Sequence, residues 1–266
     1  MVKLIIRDDD MNFFTKPEDV EGVYSSIPDF PVSFAVIPTV TNVSTYGRCP
    51  ETRGNETPRW VGDNAALTEW LRERLKSNRA DVLMHGITHG YQFSGGKRYP
   101  EMLWRKEENL ASEIARYRQE LSTLLDYDIS VFVAPSNLIS KYAIKCVAAN
   151  GLNFSGIVPI DFQRELTLRN VANYMRRWSC RLWNRLPYPD VMHYSDHKEL
   201  NACLAQSYDY LVRMFHFCER TESPMAINVH YWHLRDNEQD SKEFFRFIDY
   251  AMNHGAVPTR MSDMLR

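Results

Sequence analysis

What the sequence lacks narrows the field first. No apolar run approaches the roughly 18 residues that a membrane-spanning helix needs, and the opening apolar stretch, residues 2–6, is too short for a signal-peptide core and precedes no small-residue cleavage site. A cytoplasmic location is the resulting expectation. There is no CxxC pair. The cysteines, Cys49, Cys146, Cys180, Cys203 and Cys218, form an odd, dispersed set that reads as reduced, packed thiols and not as a disulfide framework. Excess charge of one sign is also missing. Lys and Arg total 32 against 34 Asp and Glu, a formal net charge of −2, so the chain as a whole has no bias toward nucleic acid or an anionic surface. Repeats of fixed period and low-complexity tracts are absent too.

What is there is an ordinary globular composition, 44% hydrophobic and 25% charged over 266 residues, long enough to bury a sizeable core. Short apolar runs at residues 2–7, 32–38, 81–84, 130–134, 154–158 and 225–229 read as strands covered on both faces. Between them lie helical patterns. Residues 64–77 start at a capping Asn64. Residues 104–125 are long and amphipathic, residues 138–149 follow Asn137 as a cap and stop at Asn150-Gly151, and residues 241–253 close the series. Strand and helix alternate as in an α/β fold with a parallel sheet, and a barrel is its closed form at this length. Two stretches break the alternation: residues 41–63, rich in Gly, Pro, Asn and Thr, and residues 161–196, crowded with arginine and aromatic side chains.

Polar and ionisable residues gather where the strands end. The first strand runs into Arg7-Asp8-Asp9-Asp10, the third into His85-Gly86-Ile87-Thr88-His89-Gly90, the fourth into Ala134-Pro135-Ser136-Asn137, and the last into His230-Tyr231-Trp232-His233. In parallel α/β folds that rim binds ligands. Adjacent carboxylates repel one another, and a cation relieves the repulsion. Two imidazoles from one short loop, plus a carboxylate, make a set with open positions that suits Zn²⁺, Fe²⁺ or a similar ion holding a water. Such an ion lowers the pKa of its water toward about 7; a second carboxylate could take the proton, and the His230 segment could protonate the leaving group. Plainer readings exist for each piece alone: a solvated acidic turn, or two surface histidines on a helix. The glycines around His85 and His89 argue for a loop, and the Glu of the helical zinc-protease motif is missing. His193 and His197 repeat the same spacing and form a rival pair.

These residues together resemble the polysaccharide deacetylases, the NodB-homology group of carbohydrate esterases, and especially a divergent branch that opens with R-x-D-D. The order is a strand ending in Asp-Asp, a His-x3-His loop, a Pro-containing loop and a late strand ending in His. Here it is carried by Asp9-Asp10, His85 to His89, Ala134-Pro135 and Ile227-Asn228-Val229-His230, and it spans most of the chain. The resemblance implies a distorted (β/α)7 barrel forming one catalytic domain over residues 1–266, with inserted loops near 41–63 and 161–196. It implies a divalent metal, Zn before Fe, Co, Ni or Mn, held by Asp10, His85 and His89, with Asp9 as general base and His230 as general acid. Asp8/Asp9 is the alternative register, and His233 competes with His230. Arg7, Pro135, Asn137, Trp232 and His233 are the candidates for contacting substrate. An Arg-Pro motif of secreted members is replaced by Ala134-Pro135, which leaves open what orients the base, with Arg7 as one candidate.

The expected activity is hydrolysis of an N-acetyl or other acyl group from a sugar, a metal-dependent carbohydrate deacetylation. The arginine- and aromatic-rich stretch 161–196 either stacks sugars and pairs with anions, or packs as a helical hairpin with solvated arginines. The first option points to an anionic, nucleotide-linked or lipid-linked sugar, as in lipopolysaccharide O-antigen biosynthesis. The rival expectations are a metal amidohydrolase acting on a non-sugar amide and a non-catalytic sugar-binding relative.

Overall fold

The structure is a computed structural model that describes residues 1–44, 49–156 and 164–266. Its strands are β1 (Lys3–Met11), β2 (Val32–Val36), β3 (Thr39–Val40), β4 (Arg59–Trp60), β5 (Ala80–His85), β6 (Tyr91–Ser94), β7 (Lys97–Pro100), β8 (Val131–Val133), β9 (Asn153–Ser155), β10 (Met192–His193), β11 (Lys198–Leu200), β12 (Ala202–Leu204), β13 (Met225–Val229) and β14 (Val257–Pro258). The helices are α1 (Pro17–Tyr24), α2 (Ala65–Lys76), α3 (Glu101–Trp104), α4 (Leu110–Leu125), α5 (Lys141–Ala149), α6 (Leu168–Asn184), α7 (Tyr208–Arg220), α8 (Tyr231–Asp236), α9 (Glu238–Asn253) and α10 (Met261–Leu265).

The main sheet runs β10-β11-β9-β8-β5-β2-β1-β13-β12, parallel throughout except at the β10 edge. Its two ends are covalent neighbours. Strand β11 pairs with β9, β12 pairs with β13, and the single residue Asn201 separates β11 from β12. Residues 198–204 therefore act as one stave that has β9 on one side and then β13 on the other. Counting it once, the ring is β1, β2, β5, β8, β9, β11–β12 and β13: the distorted seven-stave (β/α) barrel expected from the sequence.

The staves are apolar because both faces are covered. Burial is complete along β2, β5, β8 and β13, as it is for a parallel strand between a packed lumen and a helical layer. Ile5, Ala35, Leu83, Val131 and Val133 form one apolar layer with Met261 and Leu265 of α10. Leu4, Ile6, Phe34, Val82 and Phe132 face the larger cluster beneath the surrounding helices. This alternation gives each strand two inward directions, and the polar exceptions to it build the site.

Several boundaries differ from the sequence expectation for local reasons. The amphipathic run 104–125 divides into α3 and α4, because Arg105 turns to an extended conformation. Helix α5 is capped by Ser140, whose side chain accepts from the Ala143 N–H; Asn137 has φ +55° and is engaged elsewhere. The stave 198–204 went unrecognised as a strand because Lys198, Glu199 and Asn201 break its apolar pattern. Residues 157 and 158 of one expected strand, and parts of both long loops, lie outside the described residues. All five cysteines are buried thiols outside any disulfide, as expected. No helix among the described residues is long and apolar enough to cross a membrane.

Candidate active site

The acidic triplet sits at the end of β1, and its backbone decides where each carboxylate points. In a regular strand Asp8 and Asp10 would share a face and Asp9 would oppose them. The pairing of β1 with β2 slips between Asp8 and Met11, and Asp10 has φ +74°. This bulge re-aims one side chain, so Asp9 and Asp10 both face the barrel mouth. Asp8 turns the other way, accepting from the Tyr24 hydroxyl at 2.7 Å and the Tyr231 backbone N–H at 2.9 Å. Burial raises the Asp8 carboxyl well above the usual range, against the lowering effect of those hydrogen bonds.

Asp10, His85 and His89 are all buried, and their potential ligand atoms lie within 4.8 Å of one another. Asp10 Oδ1 is 3.1 Å from His85 Nε2 and 3.2 Å from His89 Nε2. His85 Nδ1 lies 3.1 Å from the Val133 carbonyl, which can only accept, so Nδ1 carries the hydrogen. Nε2 then faces the Asp10 carboxylate oxygen, either donating a hydrogen to it or leaving its lone pair for an ion held between them. Burial would raise Asp10, yet His89 and His85 hold it well below the carboxylate range. His85 is correspondingly raised by Asp10 and Asp9 in spite of its own burial. Ligand separations near 3 Å around one point suit an ion held at about 2.0–2.2 Å by N and O donors.

The His85–His89 loop is shaped by a residue that no motif contains. Glu101 is fully buried. Its Oε2 accepts from the backbone N–H groups of Ile87 at 2.9 Å and of Thr88 and His89 at 3.1 Å, and its Oε1 accepts from the Thr88 hydroxyl at 3.0 Å. A carboxylate that gathers successive N–H groups fixes the loop as a bound anion would. Gly86, at φ +61°, is required here: a Cβ would lie 2.5 Å from Pro135 Cγ and 2.7 Å from Glu101 Oε2. Pro135 thus packs under the loop, behind the cavity, and Ser136 and Asn137 are the residues of that segment that line it.

Asp9 is held as firmly. Its Oδ2 accepts from Arg7 Nη2 at 2.7 Å and from Asn228 Nδ2 at 2.6 Å, while Oδ1 has no hydrogen-bond partner. Arg7 is fully buried and also donates to Ser155 Oγ and Asn137 Oδ1, each at 3.0 Å. Its bed is Gly156, where a Cβ would stand 2.1 Å from Arg7 Nη1 and 2.5 Å from Asn137 Oδ1. Arg7 therefore lies behind Asp9 and not in the cavity. Asn228 escaped notice in the sequence, although a polar residue inside an apolar strand was a usable signal.

His230 follows β13, the strand paired with β1; its Nε2 is 3.5 Å from Asp10 Oδ2, and it lines the cavity. Trp232 packs against the His230 ring at 5.1 Å. His233 points away on α8 and pairs with Asp240 at 2.7 Å on the surface. Among the described residues the set able to hold an ion is the one at positions 10, 85 and 89. His197 of the rival pair is spent on Asp196 and Glu199, and the His193 side chain is exposed.

Above the triad opens a cavity of about 580 Å³. Among the described residues, Asp9 and Asp10 are its acidic lining residues; Arg177, Arg181, Arg185 and Arg213 line it with Tyr188 and Tyr210. Four positive φ values at non-glycine residues, Asp10, His89, Ser136 and Asn137, ring its floor. Strained backbone of this kind persists where the surroundings over-determine it.

The same fold recurs in solved proteins. A candidate polysaccharide deacetylase from Mycobacterium smegmatis superposes with a TM-score of 0.58 at 10% identity, over 98% of this chain and 88% of that one. The chain has the polysaccharide deacetylase fold. The Xyl-CE4 domain of a multidomain xylanase from the hindgut metagenome of Trinervitermes trinervoides matches with a TM-score of 0.50 at 11% identity, covering 99% of this chain and 90% of that chain. A CE4 family pseudoenzyme from Bacillus anthracis gives 0.51 at 10% identity, with 99% of this chain spanning 65% of its length. No family model matches the sequence, and no curated protein does. Because a pseudoenzyme shares the polysaccharide deacetylase fold, chemistry must be argued from the side chains at the rim.

Proposed function

We propose that this protein is a metal-dependent hydrolase that removes an N-acetyl or related acyl group from an anionic sugar. The convergence of Asp10, His85 and His89 beside a second carboxylate carries this reading. The donor set of two imidazoles and one carboxylate, with the outward nitrogen of His85 fixed by Val133, fits a divalent ion, zinc first. Such an ion would supply a Lewis acid that polarises the acyl carbonyl and acidifies water.

The remaining roles fall to the chain. Asp9 accepts the water proton at Oδ1, the oxygen left open by Arg7 and Asn228. Arg7 keeps Asp9 aimed through their 2.7 Å ion pair, taking the orienting task for which it was one candidate. His230, lining the cavity beside Asp10, carries the proton to the departing amine. Asn137 and Ser136 are placed at the floor to meet the substrate.

The arginine wall names the substrate class. Arg181, Arg185 and Arg213, with no carboxylate beyond Asp9 and Asp10 among the described lining residues, favour a phosphate- or carboxylate-bearing sugar, such as a nucleotide- or lipid-diphosphate-linked precursor of lipopolysaccharide O-antigen made in the cytoplasm. Incubation with N-acetylamino sugars, free and diphosphate-linked, and measurement of released acetate test this. Release from the diphosphate-linked sugar, abolished by a chelator and restored by Zn²⁺, is the expected result. Release from a non-sugar amide alone would replace the reading with the amidohydrolase one, and metal-free protein with no turnover would replace it with the binding-protein one.

A further inference from the structure

Helix α6 is built inside out. Its buried residues are Asn170, Asn173, Arg177 and Cys180. They are held by polar bonds: Asn173 Nδ2 donates to the His193 carbonyl at 2.8 Å, Arg177 donates to Glu199 and Asn201, and Asn170 bonds to Ser195. Its apolar residues face outward. Leu168, Val171, Met175, Trp178 and Leu182 recur at intervals of three and four, which places them on one stripe of an α-helix. Their exposure runs from 39% at Val171 to 94% at Leu168, and Trp183 beside them is 78% exposed. A surface helix normally hides such a stripe and exposes its polar side; here Glu199, buried on β11, draws the polar side inward through Arg164 and Arg177.

The flanks of the stripe are basic. Arg169 and Arg176 lie along one edge and Arg181 along the other, Arg185 follows at the C-cap, and residues 168–185 contain no Asp or Glu. The net charge of −2 averages this concentration away. A stripe of Leu, Met and Trp bordered by arginines is the pattern of a helix that lies in the plane of a bilayer surface. Its apolar face sits in the acyl boundary and its guanidinium groups reach up to the phosphates. We propose that α6 docks this protein on the surface of an anionic lipid bilayer.

A second copy of the chain is the competing occupant. Pairing two α6 stripes would bring two sets of arginines together with no carboxylate on either helix to compensate, whereas anionic headgroups neutralise them. The cavity lies on the other side of the same helix, where Arg177 and Arg181 form its wall. Docking would hold the cavity within about one helix diameter, roughly 10 Å, of the membrane. The docking itself rests on α6 and not on the deacylase reading.

The test is co-sedimentation of the full chain with vesicles of phosphatidylcholine alone and of phosphatidylcholine with phosphatidylglycerol, at low and high salt. Binding is expected to the anionic vesicles only, and to weaken with salt. Leu182→Glu and Met175→Glu are at exposed positions and should leave the melting curve unchanged; each should reduce partitioning about tenfold, the factor implied by losing one buried apolar side chain. On unaltered protein, lipids brominated in the acyl chain should quench tryptophan fluorescence, and the Trp178→Phe/Trp183→Phe double variant should lose that quenching. The proposal is overturned if anionic vesicles fail to sediment the protein, if both Glu variants bind as wild type does, or if sedimentation equilibrium shows a dimer that Leu182→Glu converts to monomer.

Discussion

Arg7 and Asp9 stand two residues apart on one strand, so their side chains share a face, and they meet at 2.7 Å with both buried. An ion pair within a strand cannot drift apart without moving the strand. The carboxylate is thereby fixed before any substrate arrives. Asn at position 9 could still accept from Arg7 and Asn228 through one oxygen while presenting an amide where Oδ1 stood. The Asp9→Asn variant is therefore expected to fold and to bind metal as the parent does, while turnover falls by about 10²–10⁴-fold. Calorimetric metal titration beside an acetate-release assay checks both halves; full turnover would remove Asp9 from the chemistry.

Removing an imidazole acts differently. His85→Ala leaves one carboxylate and one His, and metal affinity should fall by more than about 100-fold, beyond what losing an outer-shell partner costs. Elemental analysis of purified protein reads this directly, and stoichiometric metal in the variant would show that the ion sits elsewhere.

Glu101 touches no candidate ligand side chain, yet it bonds the backbone of the loop that carries His89. In Glu101→Gln one acceptor oxygen becomes an NH₂ group facing backbone donors. Metal affinity should drop about 10–100-fold, as for other outer-shell partners, with His85 and His89 both still present. An unchanged titration curve would reduce Glu101 to a folding role.

Gly156 forms the bed of Arg7 at φ +74°. In Gly156→Ala the strain alone is about 1–2 kcal/mol, worth several degrees of Tm in a chain of this size at about 2–4 °C per kcal/mol. The new methyl group also displaces Arg7 and Asn137. A lower Tm with turnover lost and metal binding kept is the expected pattern; wild-type turnover would contradict it.

Glu199 gives a pH signature apart from the reaction centre. Burial alone would raise its carboxyl, but Arg164, His197 and Arg177 outweigh burial and hold it at about 2, against an ordinary 4.5. A depressed folded-state pKa stabilises the native form fully above the unfolded value and is lost as pH falls from about 4.5 to about 2. The contribution is about 3 kcal/mol at neutral pH, from 1.36 kcal/mol per pKa unit. Denaturant melts of wild type and Glu199→Gln should therefore differ at pH 7 and converge as pH falls through that window. A gap that stays constant would show that the ion cluster does not set the stability of this seam.

Much of the rim was legible in the sequence because parallel barrels put ligands where strands end, and the polar residues after β1, β5, β8 and β13 stand out against apolar runs. Choosing among Asp8, Asp9 and Asp10 needed the bulge in β1, a backbone property that three identical side chains cannot announce. Chain position favours His230 over His233, because His230 directly follows the apolar strand; His230 lines the cavity, and His233 pairs with Asp240. Glu101 and Gly156 were illegible in their roles because each acts through a contact with a distant segment, whereas Asn228 stands out in the sequence as a polar residue inside an apolar strand. Residues 161–196 were the hardest. Helical periodicity locates two faces of α6 but not which one the barrel takes, and the solvated-arginine option assumed the usual answer. Buried Glu199 reverses it by claiming Arg177 for the interior.

Asn201 marks the joint of the ring. One side of its stave is bonded to β9 before it and the other side to β13 after it, and its side chain buckles this joint to the α6 segment: Arg177 donates to Asn201 Oδ1, and Asn201 Nδ2 donates to the Tyr188 carbonyl. A hoop fastened at one such buckle can loosen there without unravelling the other staves. Hydrogen exchange should accordingly be faster at residues 200–204 than along β2 or β5. Any such slackening would widen the arginine-lined mouth while the acidic floor stayed rigid.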